Sequence, residues 1–244
     1  MQLVLPVSFT KHDDFSSFIS GENAHLVSHL QSLLTPQSSH NVANRPAPSL
    51  ASHQRMTMLH GPAGAGKSHL LLATCELASQ AGFSHQYLNL RSMVHMPPQI
   101  LEGFGKIDVL CLDGLESLLH NRDWQVGVFD LINQFIENEG LSMVFASRES
   151  LEEMSFELPD LLTRLKWGTT FKLSALSDED KLLALAKHAH AQGLTLQDDA
   201  IRFILTRISR DMHKLLDVLQ QLDKASLQNK RKLTIPFIKS VLAI

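Results

Sequence analysis

The alternation of apolar and polar positions divides this chain into two unlike stretches. Between residues 56 and 173, short apolar runs alternate with segments of helical period. Residues 56–60 form one such run, and residues 67–80 carry Leu71, Cys75 and Ala78 at steps of four and three, the spacing of one helix face. Residues 86–90 read as a second strand. Residues 107–113 (IDVLCLD) are nearly all apolar and read as a third, covered on both faces. An amphipathic helix follows over 124–139 through Val128, Leu131, Ile132, Phe135 and Ile136, and 141–147 and 169–173 complete five strands. Strands alternating with helices predict an α/β fold, a parallel sheet covered by helices on both faces.

Beyond residue 173 the strand signals stop. Ser177 caps a helix with an acidic first turn (Asp178, Glu179, Asp180) that runs to about residue 192. Helical patterns over 196–208, 210–227 and 235–242 follow. The chain therefore divides into an α/β core at 13–174 and a small all-helical lid at 175–244. Ahead of the first strand lie a helix over 22–34 and a long loop over 35–55 carrying Pro36, Pro46 and Pro48. Phe15 and Phe18, in DDFSSFISG, are spaced to lie together, beside a nucleotide or on the core. The first nine residues, MQLVLPVSF, read as a tag, a peptide docked on the core, or a short motif for a partner.

Composition narrows the class. An apolar content of 44% supports a substantial core, and a net charge of −3 gives no reason to expect a bulk nucleic-acid binder. The cluster Lys224, Lys230, Arg231, Lys232 reads more readily as a solvated helix end than as a DNA contact. Cys75 and Cys111 fall inside core elements, as reduced thiols of a cytoplasmic protein would. There is no secretory signal, and no apolar stretch approaches the ~20 residues that span a bilayer.

Residues 61–68 read GPAGAGKS and fit the phosphate-binding pattern Gly-x-x-x-x-Gly-Lys-[Ser/Thr]. Gly61 and Gly66 allow the backbone angles that aim N–H groups at phosphate oxygens, with Pro62, Ala63, Gly64 and Ala65 forming the arch between them. Lys67 brings charge to the β- and γ-phosphates, the Ser68 hydroxyl can ligate Mg²⁺, and the helix start at His69 adds its positive end. Asp113 ends an apolar strand, where a carboxylate can hold the same metal at the C-terminal edge of the sheet.

The loop, the acidic strand end and the helical lid together resemble the AAA+ ATPases, and within them the DnaA initiators and their shorter relatives of the Hda type. The likeness extends over nearly the whole chain. DDFSSFISGENA resembles the segment that walls the adenine site, GPAGAGKSHLL the phosphate loop, and LPDLLTRLKWG the arginine-finger helix, which places the finger at Arg164. SDEDKLLAL and RKLTIPFIKSVL are similar to the Hda form of the lid. Gln2, Leu3, Leu5 and Pro6 resemble the Hda peptide that binds the replicative sliding clamp. Nothing after the lid reads as a helix-turn-helix, so the resemblance is to the Hda form rather than to DnaA.

The resemblance implies a regulator that holds ADP or ATP with Mg²⁺, is tied to DNA through the clamp, and acts on DnaA, with self-association left open. Three positions depart from the family pattern. Its second acid after the Asp113 strand falls at Gly114, although Glu116 would lie on the same side of an extended backbone. Ser147-Arg148 replaces a small residue and an acid, and the lid's sensor arginine aligns with His213. These departures imply nucleotide held and poorly hydrolysed. A self-contained ATPase, such as a helicase loader or DNA remodeller, and a DNA-tethering adaptor remain alternatives.

Overall fold

The computed structural model describes residues 14–34, 55–191, 193–194, 196–208, 212–229 and 232–243, with the side chains of 191 and 213 excepted. The N-terminal peptide with Gln2, Leu3, Leu5 and Pro6, and the loop over 35–54, lie outside the described residues.

Five parallel strands build the core: β1 (Met56–His60), β2 (His85–Asn89), β3 (Val109–Asp113), β4 (Ser142–Ser147) and β5 (Thr169–Lys172), in the order β2-β3-β4-β1-β5. All five expected strands form, with ends shifted by a residue or two. β2 stops at Asn89 because Leu90 opens a short helix, α3 (Leu90–Met93), and turns into the core. β3 begins at Val109 because Asp108 is occupied elsewhere. Its carboxylate accepts from the Ser84 backbone N–H at 3.0 Å and hydroxyl at 2.6 Å, and its carbonyl accepts from Leu141 and Ser142.

Side chains alternate across the sheet, as strand geometry requires. On one face Met58, Leu110, Leu112, Met143 and Phe145 pack under α4 (Arg122–Glu137) through Trp124, Val128, Leu131, Ile132 and Phe135. On the other, Leu59, Val109, Cys111, Val144 and Ala146 pack against α1 (Ala24–Leu34) and α2 (Lys67–Gln80). The α4 helix starts two residues earlier than its apolar period shows, because the Asn121 side chain caps it by accepting from the Trp124 N–H at 3.3 Å.

A short helix, α5 (Pro159–Leu165), returns the chain to the edge strand β5. Four helices then make the lid: α6 (Asp178–Ala191), α7 (Asp198–Arg207), α8 (Met212–Asn229) and α9 (Ile235–Leu242). They enclose their own apolar cluster of Leu185, Ile201, Ile204, Leu215, Leu219, Leu222, Phe237 and Ile238. Ser177 caps α6 in both directions: its hydroxyl accepts from the Asp180 N–H at 3.0 Å and donates to the Asp180 carboxylate at 2.8 Å. Among the described residues no helix is long and apolar enough to cross a membrane.

Candidate nucleotide site

The strand order brings the C-terminal ends of β1, β3 and β4 side by side, and the chemistry collects there. After β1 the chain passes close against the end of β5. A Cβ on Gly61 would meet the Leu173 carbonyl oxygen at 2.5 Å, so only glycine fits. Gly66 sits at φ +94, in the left-handed region, directly before α2, and a Cβ there would strike the Phe18 ring at 2.7 Å. The arch is thus held between the sheet edge below and Phe18 above.

Lys67 is buried and folded back on its own loop. Its Nζ donates to the carbonyls of Gly61 at 2.6 Å and Pro62 at 2.7 Å. Burial pushes its pKa down, while Asp113 and Glu116 oppose that shift. Asp113 is buried too, and its Oδ2 accepts from the Ser68 hydroxyl at 2.5 Å and the Tyr87 hydroxyl at 2.8 Å. Burial, then the neighbouring Asp113 charge, raises the Tyr87 pKa well above its usual value, so Tyr87 stays a donor. The other oxygen, Oδ1, has no hydrogen-bond partner; Arg91 Nη1 stands 3.8 Å from it. An orphaned carboxylate oxygen beside a serine hydroxyl is a donor set that suits Mg²⁺, which keeps several waters and takes few protein oxygens.

Around Asp113 runs a chain of ion pairs that sequence alone does not reveal. Arg91 Nη2 donates to Glu116 Oε1 at 2.5 Å, Arg148 Nε lies 3.6 Å from the same oxygen, and the Arg148 backbone N–H reaches Glu116 Oε2 at 3.3 Å. Burial disfavours the Glu116 charge, but the Arg91 hydrogen bond and the other contacts win, leaving its carboxyl below the ordinary range. The extended backbone assumed for Glu116 does not occur. Gly114 takes φ +87 and turns the chain into a helical turn at Leu115–Leu118, so Glu116 reaches the cluster from that turn.

Position 114 cannot readily hold the acid that the resemblance would place there. A Cβ there would lie 2.8 Å from Arg91 Cγ, and left-handed angles cost an L-residue roughly 1–2 kcal/mol. Gly114→Glu is therefore expected to lose at least about that much stability. Denaturant melts of the two proteins check it, and an equally stable variant would show that Arg91 yields.

Phe15 and Phe18 both pack on the α2-side core, Phe18 buried and Phe15 partly so. His69 joins them to α2: its ring lies 5.4 Å from Phe18, and its Nε2 is 2.9 Å from the Asp14 carbonyl and 3.3 Å from the Ser17 hydroxyl. The lid closes the other side, with Met212 at the start of α8 3.5 Å from a Cβ built on Gly64. That places residue 213 on the helix turn above the loop; the His213 side chain itself lies outside the described residues.

Arg164 stands apart from these groups, at the end of α5. Its guanidinium carbon is 4.1 Å above the Trp167 ring. Among the described residues it forms no ion pair. Tyr87 and Arg91 are the site residues that sequence reading missed. Neither has a local signal: the register of β2 on β3, with Tyr87 beside Cys111, brings the phenol to Asp113, and Arg91 comes from the short helix after β2.

Comparison with known proteins agrees with this architecture. Domain III of the Thermotoga maritima replication initiation protein DnaA superimposes with a TM-score of 0.74 at 17% identity, over 95% of each chain. AMPPCP-bound DnaA from Aquifex aeolicus gives 0.65 at 18% identity, over 92% of this chain and 67% of that one. The Thermotoga maritima RuvB Holliday junction branch migration motor gives 0.57 at 14%, over 78% and 61%. These likenesses show a shared fold. Residues 178–242, α6 to α9, match the family model of the Hda lid domain. The lid thus matches the Hda lid domain, and the chain as a whole has the fold of DnaA domain III. The five-stranded parallel core with a helical lid behind it is the predicted architecture.

Proposed function

We propose that this protein is a nucleotide-holding regulator of replication initiation that stimulates ATP hydrolysis by DnaA in trans. One observation carries the reading. The loop, Lys67, Ser68 and Asp113 are assembled for a nucleotide, while position 114 has no carboxylate to orient an attacking water and Glu116 is held by two arginines. Such a site retains a nucleotide, ADP or ATP, better than it turns one over. Ser68 and Asp113 would hold Mg²⁺, which would add to Lys67 in neutralising the phosphate charge. Phe15 and Phe18 would border the base, and residue 213 would face the phosphates from the lid.

The reaction then belongs to the partner's nucleotide. Arg164 would enter the neighbouring subunit's site and meet two γ-phosphate oxygens at once, converting DnaA to its ADP form. The protein would reach its partner through Gln2, Leu3, Leu5 and Pro6, seated on the sliding clamp of the replicative polymerase and so on DNA. Replacing Gln2 and Leu3 together by alanine is expected to abolish co-elution with the clamp and leave ADP affinity unchanged, since a few anchors carry most of such an interface. Persisting co-elution would remove the clamp from the scheme.

Glu116 favours a second reading, a self-contained ATPase, because a carboxylate does stand near Asp113. Phosphate release without DnaA separates the two: slow basal turnover that Glu116→Gln leaves unchanged supports the regulator, and brisk turnover lost in that variant supports the ATPase.

A further inference from the structure

The first turn of α5 is set by Pro159, and its inner face is fastened to the core by the buried Leu161 and Leu165. Arg164 is left at the outer edge. The chain then turns sharply, the Trp167 N–H donating to the Arg164 carbonyl at 3.1 Å, and this turn lays the indole beneath the guanidinium. The Phe129 ring, from α4, lies 5.9 Å away on the same cation. Gly168 makes the next step possible: a Cβ there would be 2.6 Å from the Met56 carbonyl oxygen, so the chain drops into β5 immediately behind the indole. Trp167 is consequently pinned on both sides by backbone geometry while it remains 44% exposed, one of the largest apolar surfaces the described residues offer.

A guanidinium over an aromatic face is attracted by the ring's negative face without committing its N–H donors to a carboxylate. A carboxylate partner would instead occupy those donors and have to be displaced before a phosphate could bind. Arg164 has the first arrangement and, among the described residues, lacks the second.

We propose that Trp167 is the platform that presents Arg164, and that the exposed indole with its arginine anchors the surface taking the phosphate-bearing face of a second AAA+ subunit. Tryptophan and arginine are the residue types most concentrated at binding hot spots. The inference rests on the trans-acting role of Arg164 given above, and its test keeps the two separable.

ATP hydrolysis by DnaA, stimulated by the clamp-bound protein, would be measured for Trp167→Ala, Trp167→Phe and Arg164→Ala, with maximal rate and half-saturating concentration determined separately. Once the partner covers the pair, the cation–π contact is desolvated, so Trp167→Ala should lower the maximal rate by about five- to thirtyfold. Trp167→Phe restores most of it, because a phenyl ring still offers a face. Melting temperature moves little, since the indole is partly in solvent.

The protein also carries its own reporter. Its other tryptophan, Trp124, is buried with Nε1 donating to the Met96 carbonyl at 2.9 Å, so the difference in acrylamide quenching between the parent and Trp167→Phe reads Trp167 even beside other proteins. Quenching should fall when ATP-loaded DnaA and clamp are added. Full stimulation by Trp167→Ala alongside loss in Arg164→Ala would overturn the platform and leave the finger standing. Equal loss in the alanine and phenylalanine variants would overturn stacking as the cause, and unchanged quenching would overturn the anchor. Full stimulation by Arg164→Ala would instead defeat the parent reading.

Discussion

Arg164→Ala is expected to abolish stimulation of DnaA while leaving the fold, ADP binding and clamp binding intact. The side chain contributes little to the core: the helix is anchored by Leu161 and Leu165, both buried, while Arg164 itself lies against Phe129 and the half-exposed Trp167. Its value lies in meeting charge that develops on a transferring phosphoryl group, where an arginine supplied in trans is worth roughly 10³–10⁵ in rate. Lysine has a point charge and no planar fork, so Arg164→Lys should recover little of that factor. A reconstituted assay with clamp loaded on DNA decides the matter, and near-normal hydrolysis with the alanine variant would sink the trans mechanism.

Lys67→Ala should cost roughly 10- to 100-fold in ADP affinity, the size expected when a charged hydrogen-bond donor is removed from a buried site. The ammonium also satisfies the Gly61 and Pro62 carbonyls, tying it to the arch as well as supplying charge. Water can take over both carbonyls in the variant, and melting without nucleotide should shift only slightly. The stabilisation that saturating ADP gives the parent protein, which follows from linkage, should largely disappear. Calorimetric titration beside melts with and without ADP tests both statements. Undiminished affinity would mean the loop no longer holds phosphate.

The strands and the loop were legible because they are local. The apolar run over residues 107–113, or the repeat through Leu71, Cys75 and Ala78, needs no knowledge of the rest of the chain. The phosphate loop was legible because its glycines are demanded by backbone geometry at fixed spacing. What could not be read is the ring of side chains around Asp113. Tyr87, Arg91, Glu116 and Arg148 come from separate segments, and only the pairing of β2, β3 and β4 brings them together. Glu116 was placed by assuming that the backbone ran straight past Gly114. The left-handed angle there, with the Arg91 side chain filling the space, is a property of the packed structure. The setting of Arg164 was equally hidden, since the bland expectation for such a residue is a surface carboxylate rather than an indole.

The strand order also bears on how the chain is born. β1 is flanked by β4 and β5, so both hydrogen-bonding partners of the strand that carries the phosphate loop are made after residue 141. A nascent chain emerging from the ribosome must therefore carry Met56–His60 with two bare edges until more than half the protein has been made. Non-local pairing of this kind is slow and exposes strands to aggregation. The four lid helices, whose packing partners are close in sequence, face no such wait. The nucleotide cradle is thus the last part of the core that translation allows to close, and a ribosome stalled before β4 should release a chain with no grip on ADP and a strong demand for chaperones.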